Sequence, residues 1–185
     1  MRRLFGRSPD RRAAHAVYTA LVERARAPVF YAELGVPDTL DGRFEMIVLH
    51  IFLILHRLRA VPESQSFGQA LYDGLFADMD RALREMGTGD LSVGKQIKRM
   101  TTALAGRIAA YQAGLAGEAD LGAALHRNLY GTVAEPVPQH IAAMAAYLHF
   151  QQAALASQPA ESITGGTADF AALPTLDAAP AAPEV

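Results

Sequence analysis

The stretch L-G-V-P-D-T-L-D-G-R-F-E-M-I-V-L-H-I-F-L-I-L-H-R-L-R, residues 34–59, sets the architecture of the whole chain. It opens with turn chemistry: Pro37 fixes its own φ and pushes Val36 out of the α region, and Gly35 accepts any backbone angle. Asp38, Thr39 and Asp41 then offer side-chain oxygens to the free N–H groups of a starting helix. From 43 to 59 nothing breaks a helix, and between 46 and 55 only His50 is polar. A helix apolar on nearly every side is enclosed, by other helices or by lipid. Ten residues of helix cover about 15 Å, roughly half of a bilayer core. The stretch therefore predicts a buried central helix, about residues 41–60, of a helical bundle.

The flanks repeat the helical period. Ala14, Val17, Tyr18, Leu21, Val22 and Ala25 recur at spacings of three and four, predicting a helix over 13–26; Pro28 interrupts it, and 29–31 form a short turn or link. Pro62 ends the central helix, with Ser64 or Ser66 as the next N-cap. The following helix turns Tyr72, Leu75, Met79, Leu83 and Met86 inward, leaving Asp80 and Arg84 one turn apart on the opposite face. After Gly87 and Gly89, Asp90 caps a long helix with Ile97, Met100, Leu104, Ile108, Tyr111 and Leu115 on one face. Two more helices are read over 121–130 and 139–156. No segment alternates with the period of a strand. The expected fold is all-α, one globular bundle of about six to seven helices. A basic arm at 1–12 precedes the domain at 13–156, and a disordered Pro/Ala-rich acidic tail at 157–185 follows it.

Composition narrows function. With 185 residues and no cysteine, the chain forms one domain that excludes disulfides, thiolate catalysis and thiolate metal sites. The formal charge of −2 hides an asymmetry: the arm holds Arg2, Arg3, Arg7, Arg11 and Arg12 against Asp10, while the tail holds Glu161, Asp169, Asp177 and Glu184 with no base. There is no basic stripe of a dedicated nucleic-acid binder. The arm has no apolar core of a secretory signal, and it suits the anionic face of a membrane at about 1 kcal/mol per arginine.

No catalytic constellation emerges. His50 and His56 are six apart, about 240° around a helix, and no H-E-x-x-H occurs, so a metal site is not expected. His50, inside an apolar run, reads as a core histidine. Asp78 and Asp80 point about 200° apart, which suits ion pairs with Arg81 and Arg84 better than Mg²⁺. Gly68, Gly74, Gly94, Gly106 and Gly114 interrupt good helices at about 1 kcal/mol each. Close packing among the chain's own helices accounts for them first, and approach of a partner helix second.

Five segments in order carry a resemblance: V-F-Y-A-E-L-G-V-P-D-T-L-D-G-R-F-E-M-I-V-L-H (29–50), A-L-Y-D-G-L-F-A-D-M-D-R-A-L-R-E-M-G-T-G-D (70–90), G-K-Q-I-K-R-M (94–100), G-R-I-A-A-Y (106–111) and R-N-L-Y-G (127–131). Together they resemble the ubiquinol–cytochrome c chaperone family over roughly residues 15–155. The resemblance implies an all-α fold and a non-enzymatic, cofactor-free role in assembling the cytochrome bc1 complex, with cytochrome b as client. Mitochondrial relatives act with a small helical partner near the ribosomal exit. A short arginine-rich arm in place of their long N-terminal extension makes this chain look like a bacterial member. It implies a cytoplasmic site, peripheral to the inner membrane.

Apolar motif positions explain themselves as core, so the polar ones are the candidates for client or partner contact: Arg43, Asp73, Asp78, Asp80, Arg84, Glu85 and Lys95. Asp38, Asp41 and Asp90 read first as helix caps, each worth about 1 kcal/mol, and second as partner contacts. Two other classes of function compete. His50 would serve a helical carrier of haem or another apolar small molecule, and an oligomeric scaffold would need no client.

Overall fold

The computed structural model describes residues 9–85, 87 and 90–173, and the backbone alone at 90, 91, 96 and 99. Arg2, Arg3, Arg7, Met86 and the side chain of Asp90 therefore lie outside the described residues. The chain is all-α. Six helices have eight or more residues: α1 (Pro9–Ala25), α3 (Leu40–Leu58), α4 (Gln65–Glu85), α5 (Asp90–Leu115), α6 (Leu121–Asn128) and α7 (Pro138–Ala156). Single turns form α2 (Pro28–Ala32) and α8 (Ala160–Thr164), and a 3-10 turn spans Pro62–Ser64.

Hydrophobic burial places α3 at the centre. Met46, Val48, Leu49, Ile51, Phe52, Leu53 and Ile54 are all buried, on every side of the helix. Around it pack α1, α5 and α7; α4 lies on α1 and α5, and α6 on α5 and α7. Among the described residues no helix is long and apolar enough to cross a membrane.

The entry to α3 is fixed locally. Thr39 is the N-cap, its Oγ1 accepting from the Gly42 amide at 3.2 Å, so the cap falls between the two expected aspartates. Asp38 pairs instead with Arg43 at 2.6 Å, and Asp41 stands in the first turn, where the helix dipole favours it. A Cβ at Gly42 would lie 2.0 Å from the Pro37 carbonyl oxygen, so only glycine lets the 34–39 turn fold onto the helix. Tyr130 closes the turn from outside, donating to the Leu34 carbonyl at 2.8 Å.

Several details differ from the reading of periodicity. In α4, Leu71 is buried and Tyr72 only half-buried. Neither serine caps α4: Ser64 Oγ donates to the Val61 carbonyl at 2.7 Å, closing the end of α3, and Ser66 Oγ donates to Asp10 at 2.5 Å. Gly68, Gly74 and Gly114 face Leu55, Tyr18 and Leu121 across helix contacts, as own-helix packing requires, whereas a Cβ at Gly94 or Gly106 would meet open space.

The largest difference is the C-terminal boundary. Composition places disorder from 157, yet α8 buries Ala160 and Ile163, and Phe170 packs against the core. Few apolar residues suffice here because each finds a place on the bundle. Residues 174–185 lie outside the described residues.

Candidate functional site

The N-terminal turn of α3, the middle of α5 and the turn after α6 enclose a groove of about 490 Å³. Leu40, Phe44, Leu83, Met100 and Leu129 give it apolar walls, and Leu40 is 44% exposed at its mouth. Asp41 and Arg127, both exposed, stand on it with opposite charges. Fourteen residues line it, and all but Ala103 and Thr132 fall in the five family-like segments. Each of those segments contributes at least one. By contrast the groove between α1 and α4, lined by Arg11, Tyr18, Asp73, Asp78 and Arg81 among others, draws on segment 70–90 alone. That contrast selects the first groove as the candidate site.

Its floor is polar. Arg107 on α5 reaches Glu45 on α3 with two contacts: Nε donates to Oε2 at 2.8 Å and Nη2 meets Oε1 at 2.5 Å. Glu45 is 4% exposed, and burial pushes its carboxyl above the ordinary carboxylate value against the opposing pull of Arg107. Beside the pair lies the fully buried Tyr111, whose hydroxyl is held well above its ordinary pKa by burial and then by the Glu45 charge. The Asn128 side chain lies against the Tyr111 hydroxyl and pulls its pKa the other way. A groove with apolar walls, opposite charges at Asp41 and Arg127 and a polar floor suits a polypeptide, which brings both apolar side chains and polar groups.

The other candidate residues are spread over the surface. Asp78 accepts from the Tyr18 hydroxyl at 2.9 Å and pairs with Arg81 at 2.6 Å; Asp73 accepts from Gln69 at 3.0 Å. Asp80 and Arg84 form the expected one-turn pair at 2.7 Å. Asp78 and Asp80 thus face different partners. Glu85, Lys95, Arg11 and Arg12 are exposed. Only Asp41 among the nominated positions stands on the groove. Sequence reasoning did not single out Glu45, Arg107, Arg127 or Asn128; the signal that finds them is that they are polar positions inside segments 29–50, 106–111 and 127–131.

His50 is fully buried and both its ring nitrogens are engaged. Nδ1 donates to the Met46 carbonyl at 2.7 Å, so Nε2 accepts from the Tyr147 hydroxyl at 2.8 Å. Tyr147 accepts in turn from Arg24 Nε at 3.1 Å. Burial lowers the His50 pKa to about 4, keeping the ring neutral. It is a satisfied core histidine with no nitrogen left for an axial ligand.

Fold and groove together define an all-helical binding protein. A model of the ubiquinol-cytochrome C chaperone family matches residues 32–170, and the chain belongs to that family. Its structure is similar to the crystal structure of the Cbp3 homolog from Brucella abortus, with a TM-score of 0.79 and 34% sequence identity over 93% of this chain and 94% of that one. Among curated relatives, protein CBP3, mitochondrial, of Saccharomyces cerevisiae is 32% identical over 130 residues, 68% of this chain and 39% of its own length. The human ubiquinol-cytochrome c reductase complex assembly factor 1 is 26% identical over 153 residues, 82% of this chain and 51% of its own length. The chain thus spans about half or less of these two relatives.

Proposed function

We propose that this chain is a non-enzymatic chaperone for assembly of the cytochrome bc1 complex, and that its client is cytochrome b. The observation that carries the reading is the family match over residues 32–170, supported by a structural neighbour aligned over nearly the whole chain. The human relative is named as an assembly factor of the same complex. The groove supports it too: apolar walls shield a client's side chains, while Asp41, Arg127 and Asn128 on its lining meet polar groups.

Client contact falls first on Asp41, Arg127 and Asn128, on the groove that gathers all five family-like segments. Asp73 and Asp78 offer a second surface on the groove between α1 and α4. Arg43, Asp80 and Arg84, held in exposed ion pairs, stand with Asp38, Glu85, Asp90 and Lys95 as outlying contacts. Arg11 and Arg12, with Arg2, Arg3 and Arg7 ahead of them, keep the protein at the anionic cytoplasmic face of the inner membrane, each arginine contributing about 1 kcal/mol near the surface.

Affinity capture of the tagged protein from its host, with a photo-crosslinker at position 127 and mass spectrometry, tests the reading. Cytochrome b enriched over other abundant membrane proteins and crosslinked at 127 is the expected result. Cytochrome b absent from the capture, with bc1 assembling normally in cells lacking this protein, overturns it.

A further inference from the structure

Gln151 stands in the last turns of α7 and Gln158 in the turn just beyond its end at Ala156. Each side-chain amide meets both backbone groups of one residue in the segment that follows α8. Gln158 Oε1 accepts from the Asp169 amide at 3.0 Å and its Nε2 donates to the Asp169 carbonyl at 2.7 Å. Gln151 repeats the pattern on Ala171, at 2.9 Å and 3.2 Å. Arg24 also donates to the Ala171 carbonyl. Residues 169 and 171 both turn their backbone groups to these glutamines, while the Phe170 side chain makes a different contact. Phe170 sets its ring edge-on to His50, centroids 5.5 Å apart, at a cleft bordered by Val22, Arg24 and Ala27.

This is how an exposed strand edge reads a peptide: backbone bonds hold it whatever its sequence, and one pocket selects a side chain. Nothing in the contacts depends on the side chains of Asp169 or Ala171. Gln151 is fully buried, a rare position for a glutamine, and its amide is committed to the strap. Gly166, at φ +109°, turns the chain back over α1, where a Cβ would lie 3.3 Å from Ala13 Cα. The cleft shares no lining residue with the groove at the head of α3.

We infer that the seat formed by Arg24 of α1, Gln151 of α7 and Gln158 just beyond it is a peptide-binding site, occupied at rest by residues 166–173 of the same chain, and that an extended client segment carrying one aromatic side chain takes the same place when the strap leaves. The inference rests on the reading of the chain as a chaperone with a polypeptide client. A strap tethered through α8 competes at an effective concentration of about 1 mM. A free peptide with a dissociation constant of about 0.1 mM therefore binds about tenfold more weakly to the native chain than to one whose strap has lost its anchor.

The probe is a fluorescein-labelled peptide of sequence G-T-A-D-F-A-A-L, followed by anisotropy with the full chain. Phe170→Ala is expected to tighten its binding about tenfold, Gln151→Leu added to Phe170→Ala to weaken it again at least tenfold, and a peptide with alanine for phenylalanine not to bind. Equal binding to the native chain and Phe170→Ala, or equal binding of the two peptides, overturns the inference. Hydrogen exchange on the native chain gives an answer independent of any variant's folding. The Ala171 amide is expected to exchange at least a hundredfold faster than the Leu53 amide, and exchange of both in one event overturns the idea of a strap that opens alone. Undiminished capture of bc1 subunits with no peptide binding removes the seat and leaves the chaperone reading. Peptide binding without any bc1 capture does the reverse.

Discussion

Replacing Arg107 by methionine leaves Glu45 facing the groove floor without its cation. The substitution keeps an unbranched apolar stem and removes both contacts of the pair. Breaking a buried pair from one side costs about 3–5 kcal/mol; Arg107 keeps 23% of its side chain exposed, which places this case near about 3 kcal/mol. For a chain of this size that lowers Tm by roughly 6–12 °C. The cost depends on pH. Burial holds the folded Glu45 carboxyl above its unfolded value of 4.5, so between the two values the folded chain binds more protons and stability falls as pH rises. Removing Arg107 takes away the opposing pull, raises the folded value further and extends that fall to higher pH. Urea denaturation followed by circular dichroism at pH 5 and pH 8 should show the larger deficit at pH 8. Adding Glu45→Leu to Arg107→Met should recover most of it, because apolar residues of similar volume replace a buried pair at little cost. A deficit below about 1 kcal/mol, or one equal at the two pH values, would refute the reasoning.

Two glycines of α5 predict shifts of opposite sign. Gly114→Ala drives a Cβ to 2.9 Å from Leu121 Cα and should destabilise by about 1–3 kcal/mol, while Gly106→Ala meets open space and should stabilise by up to about 1 kcal/mol; thermal melts moving in the same direction contradict this. His50 has a folded pKa of about 4 against 6.5 unfolded, so the unfolded chain binds more protons between those values and stability is lost as pH falls through that window, by about 3 kcal/mol in all. His50→Gln should flatten the pH dependence of the urea midpoint between pH 6.5 and 4, and an unchanged slope ends the account.

Some of this molecule was legible in the sequence for a clear reason. The 34–59 stretch states its own burial, since a helix apolar all round has one solution in a bundle. His50 followed from the same stretch, as a polar group that the core had to satisfy. Tyr72 was misplaced because it is one step from Leu71 around the helix, and periodicity cannot separate neighbours at the edge of a stripe. The Glu45–Arg107 pair joins residues 62 apart, and no local pattern announces it. The strap was hidden by composition. Counting Pro, Ala and Gly describes the hydrophobic burial a segment can achieve by itself, and gives no weight to Gln151 and Gln158, which supply its backbone partners from α7 and the turn beyond it.

Gly166 lies against Ala13 near the start of α1, and Ala171 lies against Arg24 near its end, so the strap runs alongside the first helix of the chain. The first and last described residues are therefore about one α1 length apart, roughly 22–26 Å for a 17-residue helix. A linker of about ten residues, at about 3.3 Å each, spans that gap. The described body can thus be circularly permuted through such a linker, with new ends opened at Gly117 in the exposed turn between α5 and α6. In such a permutant the strap and the first helix become neighbours in sequence as they already are in space.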